Sequence, residues 1–224
     1  LETTEKRNKP NIEISDSNSL DLIDEVDVKE QGIYIMSARY SQTFKHKPNP
    51  NLALYKNSRF RSVGPHIHPW VELGYMYSGS ISHTIRDYTH RLSKGQVFIL
   101  DSETPHSLGY AGENDILISV LLSKAYFTHN FFNHFSHESI LSQFLINAIS
   151  EKTSHDAYIV FNTENSSRIP MFMNELMKEH ISPSTNSSDI IDNLINLIFL
   201  ELINEYDNIY YSKQVKRGKS NIAP

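Results

Sequence analysis

Between Gly64 and Gly79 the chain reads GPHIHPWVELGYMYSG, with two histidines one residue apart and a glutamate four positions after the second. Successive side chains of an extended strand point to opposite faces, so His66, His68 and Glu72 share parity and can share one face. Pro69 or a bulge would reverse that relation. A second glycine-led segment, GQVFILDSETPH, runs from Gly95 to His106 and offers a further imidazole from another strand. Three neutral imidazoles and one carboxylate converging inside a β-barrel can hold a divalent zinc, iron, manganese, nickel or copper ion, or a small polar ligand. His66, His68, Glu72 and His106 are the candidate metal ligands, and the same four with Trp70, Tyr75 and Phe98 are the candidate ligand-binding residues.

Other chemistry is poorly represented. There is no G-x-S-x-G elbow, no phosphate-cradling glycine loop and no dinucleotide fingerprint. Glu72 has no second acid placed to work with it, so catalysis would rest on the metal. His83, His90, His129, His134, His137, His155 and His180 read as scattered surface or helix-end residues.

The elements that must position these residues are mainly β. Short apolar runs separated by turn residues predict strands near 60–67, 70–77, 80–86, 89–93, 96–101, 106–110 and 115–122. Ser78-Gly79 and Arg86-Asp87 read as hairpin turns. A strand is also expected in GIYIMSARYS from Gly32, a loop over 45–57, and a late strand at Tyr158–Phe161. Many short antiparallel strands suggest a closed sandwich or barrel. The period then changes: 123–135 and 137–150 read as helices capped by Ser123 and Ser136. Further helices are expected over 166–181 and 188–207, the last capped by Ser187 or Ser188 with Asp189 in its first turn. That last helix has an apolar face wider than a surface helix needs. It is expected to form a homodimer through Ile191, Leu194, Ile195, Ile198 and Leu202.

The chain has 224 residues, a formal net charge of −5 and no cysteine. Disulfides, thiolate zinc sites and cysteine nucleophiles are therefore excluded, which agrees with a cytoplasmic setting. The N-terminal run is polar, without a secretory signal, and no apolar run approaches the ~20 residues of a membrane span. An acidic balance is unlike a stand-alone DNA-binding domain. Positive charge clusters only at Lys213, Lys216, Arg217 and Lys219. Both ends look cut, as in a fragment of a longer protein. The expected organisation is a flexible arm over 1–30, a barrel over 31–162 with a helical insertion at 123–150, a helical pair over 163–211 and a basic linker over 212–224.

His66-x-His68-x-x-x-Glu72-x6-Gly79 resembles the first cupin motif, and Gly95 with His106 eleven positions later resembles the second. Asp101, Glu103 and Tyr110 depart from the residues usual in the second motif. From about residue 30 to 207 the layout is similar to the N-terminal sensing domain of AraC-type transcriptional regulators, including Pro105-His106 after a short glycine-led strand. The resemblance implies a cupin (double-stranded β-helix or jelly-roll) barrel that binds a small-molecule effector, with or without a metal ion. It also implies helices used for dimerisation and control of a DNA-binding domain with two helix-turn-helix units, for which there is no room after Tyr211. A metal-dependent cupin oxygenase or isomerase is the alternative the same ligand set suggests.

Overall fold

The computed structural model of the chain describes residues 51–127, 143–144, 146–147 and 158–205 in full, and only the backbone of 28–29, 33–35 and 206–219. Eleven strands can be followed: β1 Val28–Lys29, β2 Ile33–Ile35, β3 Leu52–Lys56, β4 Val63–Ile67, β5 Val71–Ser78, β6 Ser80–Ile85, β7 Tyr88–Ser93, β8 Val97–Leu100, β9 His106–Leu108, β10 Ile116–Leu122 and β11 Tyr158–Phe161. A single helical turn, α1, covers Lys124–Tyr126, and two long helices follow, α2 Arg168–Ile181 and α3 Ser187–Lys219. The strands form a six-stranded sheet, β1-β2-β4-β9-β6-β7, and a five-stranded sheet, β11-β8-β5-β10-β3. All pairings are antiparallel except β2 with β4. The fold is the expected jelly-roll barrel followed by helices.

The two sheets bury their strands differently, and the sequence shows it. In β6, SISHTI, burial alternates, with Ile81, His83 and Ile85 inward. In β8 and β10 the runs VFIL and ILISVLL are almost wholly buried. The five-stranded sheet is covered on both faces, so neither face needs polar side chains. Met76, Phe98, Leu100 and Leu117 pack inside the barrel with Ile81, Ile85, Leu92 and Leu108 of the opposite sheet. Val71, Leu73, Tyr75, Val97, Ile99, Ile118 and Val120 pack outward, against Ile169, Met173 and Leu176 of α2 and Ile195, Ile198 and Phe199 of α3. A small third cluster, Ala53, Trp70 and Leu121, closes one part of the interior.

Several expectations change. The stretch 45–57 is not all loop: LALYK forms β3, paired with β10, and Leu52 and Ala53 are buried. The prolines and asparagines of KHKPNPN end before this strand begins. Within the arm, Val28–Lys29 is a strand and the remaining residues lie outside those described. Ser123 caps α1 as expected, accepting from the Tyr126 amide at 3.2 Å, while Ser136 and most of 123–150 lie outside the described residues. The last helix begins at Ser187 with Asp189 in its first turn, but it runs to Lys219, past 207 and through the basic residues read as linker.

The expected dimer face is also corrected. Ile191, Ile195, Ile198 and Leu202 are buried within the chain, and Leu194 packs half-buried against the same cluster. The sheet and α2 already cover this face of α3. Among the described residues of α3, the apolar ones left exposed are Ile190, Leu197 and Leu200.

Gly79 adopts a positive φ of 69° in the hairpin between β5 and β6, where an L side chain would be strained. Gly74 is required for another reason: a Cβ placed there would run into the Phe98 ring. Gly74→Ala is therefore predicted to destabilise the fold by about 1–3 kcal/mol through overpacking. Denaturant unfolding checks this, and an unchanged midpoint would contradict the described packing.

Candidate functional site

Each candidate ligand reaches the barrel interior from a different place in the chain. His66 lies on β4 and His106 on β9, where they are register partners. His68 follows β4 in the turn before β5, and Glu72 is the second residue of β5. All four side chains are buried. One ring nitrogen from each of His66, His68 and His106 lies within 4.8 Å of the others. His68 Nε2 stands 2.9 Å from Glu72 Oε2, and His106 Nε2 stands 3.5 Å from the same oxygen.

The backbone sets the orientation of the rings. His66 Nδ1–H donates to the Gly64 carbonyl at 2.9 Å, His68 Nδ1–H to Trp70 at 3.1 Å and His106 Nδ1–H to Thr104 at 2.9 Å. A carbonyl only accepts, so the Nδ1 protons are fixed and each Nε2 is left for the interior. This second contact is the kind that orients metal-ligating histidines. The loop before β9 is fastened to the same place, since the Glu103 amide donates to the His68 carbonyl at 2.7 Å.

Glu72 is held by more than the histidines. Ser119 Oγ donates to Glu72 Oε1 at 2.6 Å, and Asn57 Nδ2 donates to Ser119 Oγ at 2.7 Å. Burial alone would raise the Glu72 carboxyl, but hydrogen bonds from His106 and His68 outweigh it and hold the group well below the usual carboxylate range. With Nδ1–H of His68 committed to Trp70, its Nε2 and the carboxylate can approach to 2.9 Å only across a proton or a cation. His66 is held well below the ordinary histidine value, first by burial and then by its neighbours His106 and His68. Neutral imidazoles and an ionised carboxylate are the donor set that a divalent ion such as zinc, nickel, iron or manganese takes. The residues present fit such an ion.

The aromatic candidates separate. Trp70 lies beside His68, ring centres 5.8 Å apart. Phe98 sits inside the barrel but touches His83, at 4.4 Å. Tyr75 has the opposite parity to Glu72 and belongs to the cluster under the helices, so it is not brought to the histidines.

Two residues of this layer carry weaker signals in the sequence. Ser119 is the one polar side chain in ILISVLL, and that interruption marks it. His83, read as scattered, has the inward parity of Ile81 and Ile85 and is fully buried, 5.6 Å from the His106 ring.

A family model described as the AraC-like ligand binding domain matches residues 50–125. This stretch contains β3 to β10 and every residue of the polar layer. Residues 50–125 are thus similar to an AraC-like ligand-binding domain. Among solved structures, an apo ToxT variant from Vibrio cholerae strain SCE256 is similar to this chain at a TM-score of 0.50 and 15% identity, over 70% of this chain and 56% of that one. A second ToxT structure gives 0.43 at 13% identity, over 69% and 56% of the two chains. Oxalate decarboxylase from Bacillus subtilis gives 0.30 at 25% identity, over 33% of this chain and 21% of that one. The first ToxT likeness speaks to the fold alone, and this chain spans just over half of that protein's length. No protein among those with curated descriptions matches the sequence. Among the described residues, no helix of the chain is long and apolar enough to cross a membrane.

Burial pushes His83 down to about 3 from an ordinary value of 6.5, ahead of the effect of His106. The sign of its effect on stability follows. Above pH 6.5 neither the folded nor the unfolded chain protonates it, and its contribution is complete. Below 6.5 the unfolded chain gains a proton that the folded chain refuses until about pH 3. Each pH unit in that window is predicted to remove about 1.4 kcal/mol. His83→Phe should flatten the loss of stability between pH 6 and pH 4 by about one proton, as read from denaturant unfolding across pH. An unchanged slope would contradict the burial of this ring.

Proposed function

We propose that the chain is the effector-sensing and dimerisation part of an AraC-type transcriptional regulator, acting on DNA through a helix-turn-helix domain outside this sequence. The barrel unit is residues 31–162 and the helical pair begins at 163, as read from the sequence. A small-molecule effector binds in the barrel at His66, His68, Glu72 and His106, with Trp70 and Phe98 nearby. The observation that carries this reading is that the AraC-like match and the buried polar layer occupy the same strands. A divalent ion at the histidines and Glu72 would supply a Lewis-acid anchor for an oxygen of the effector.

The five-stranded sheet offers a route for the signal. Glu72 and Ser119 face the barrel, while Leu73 and Val120 beside them face α2 and α3. An effector that binds one placement of Glu72 more tightly than another would bias how the helices rest on the sheet. The convergence of three ring nitrogens also supports a second reading, a metal-dependent oxygenase or isomerase. Turnover of a substrate, lost in His66→Ala and His106→Ala, would put that reading first.

Saturating zinc or nickel is expected to raise the melting temperature by about 5–10 °C at a hundredfold excess over its dissociation constant. His66→Ala and His106→Ala should each lose most of that shift. Absence of any shift in the unaltered protein would count against the metal.

The dimer is assigned to the exposed stripe of α3, where Ile190, Leu197 and Leu200 recur at helical spacing. The double variant Leu197→Glu, Leu200→Glu should sediment as a monomer at concentrations where the unaltered chain is a dimer. An unaltered chain that stays monomeric, or a variant that stays dimeric, would refute this assignment.

A further inference from the structure

His83 has a place in the barrel that its surroundings leave unexplained. It is fully buried, and among the described residues neither Nδ1 nor Nε2 has a hydrogen-bond partner. A neutral imidazole carries one N–H and one lone pair, and leaving a buried donor unmet costs about 1–3 kcal/mol. Buried polar groups without partners are uncommon enough that each needs a cause, such as a ligand or a water. The other histidines of the layer show how such a group is ordinarily met, since His66, His68 and His106 each use a carbonyl two residues away.

The position of the orphan ring narrows the cause. On paired strands β6 and β9, Ile85 is the partner of His106 and His83 that of Leu108, so His83 lies diagonally across from His106. Its ring centre is 5.6 Å from that of His106, on the same inward face. On its other side it packs on Phe98 at 4.4 Å, and Ile81 and Ile85 flank it on the strand. The ring therefore stands at the border between the histidine layer and the apolar interior.

Charge selects the ligand. A divalent cation at three neutral histidines and one ionised Glu72 leaves a single positive charge inside the barrel, where an unbalanced charge is costly. One monoanion balances it. A carboxylate has two oxygens, one for the cation and one to accept an N–H.

We propose that His83 donates a hydrogen bond to the outer oxygen of a small carboxylate, whose inner oxygen is held through a divalent cation at His66, His68, His106 and Glu72. This rests on the reading of the barrel as a metal-assisted sensing site. The flanking Ile81, Ile85 and Phe98 restrict the rest of the ligand near His83 to a short or apolar group.

The test loads the whole chain with cobalt(II), whose visible bands report its coordination, and titrates acetate as the probe. Cobalt should bind, and acetate should change the bands saturably. His83→Phe should keep cobalt affinity within about threefold and weaken acetate by about tenfold or more, the scale of one hydrogen bond to a charged group. His83→Gln, which retains an N–H donor, should recover part of the loss. In the zinc-loaded unaltered protein, the ring signals of His83 should move with acetate saturation, a readout that does not depend on any variant folding. If cobalt does not bind the unaltered chain, the metal-assisted reading beneath the proposal falls. If cobalt binds but acetate affinity is indifferent to position 83, or the His83 signals do not move, the role of His83 alone is overturned and a buried water is its partner.

Discussion

A carboxylate shut inside a β-barrel must be answered by hydrogen bonds or by positive charge, because an isolated ion there is costly. Glu72 is that carboxylate, and much of the interior can be understood as its answer. One oxygen accepts from Ser119, which Asn57 holds in turn, and the other faces His68 and His106. Those rings are steered from behind by carbonyls, so the freedom of the layer is used up by its own neighbours. The layer lies between apolar groups, with Met76, Phe98 and Leu108 on one side and Trp70 and Leu121 on the other. Low surrounding polarity strengthens every contact inside it and raises the cost of any that is lost.

The double coverage of the five-stranded sheet gives this arrangement its reach. Along β5 and β10, residues that face the polar layer alternate with residues that face the helices. A shift at Glu72 is thus one residue removed from the packing of α3, with no long chain of intermediates required. Close-packed interfaces of this kind respond by changing between discrete arrangements rather than by yielding gradually.

Much of this was legible in the sequence, for identifiable reasons. Period-two patterning placed seven of the barrel strands and the return strand at Tyr158–Phe161, while the turn residues before Leu52 masked β3. Parity marked His66, His68 and Glu72 as one set, but the chain joins them across the turn between β4 and β5, which lie in opposite sheets, rather than along one strand. On β5 itself Tyr75, three residues after Glu72, takes the opposite face. His83 was available by the same reasoning, as the inward residue between Ile81 and Ile85, but a histidine outside a motif gives no other sign. The helix α3 shows a different limit. Periodicity marks Ile191, Ile195, Ile198 and Leu202 as buried without saying against what, and the answer is their own sheet and α2.

His66, His68 and His106 are fixed with Nδ1 protonated toward the backbone and Nε2 turned inward. Long-range proton–nitrogen NMR correlation of the histidine rings tests it directly at neutral pH. The geometry predicts a protonated Nδ1 on all three rings, an unprotonated Nε2 on His66, and a shift of the Nε2 signals when zinc is added. Rings protonated at Nε2 with a bare Nδ1 would contradict it, because no inward donor set would then exist to hold a metal ion.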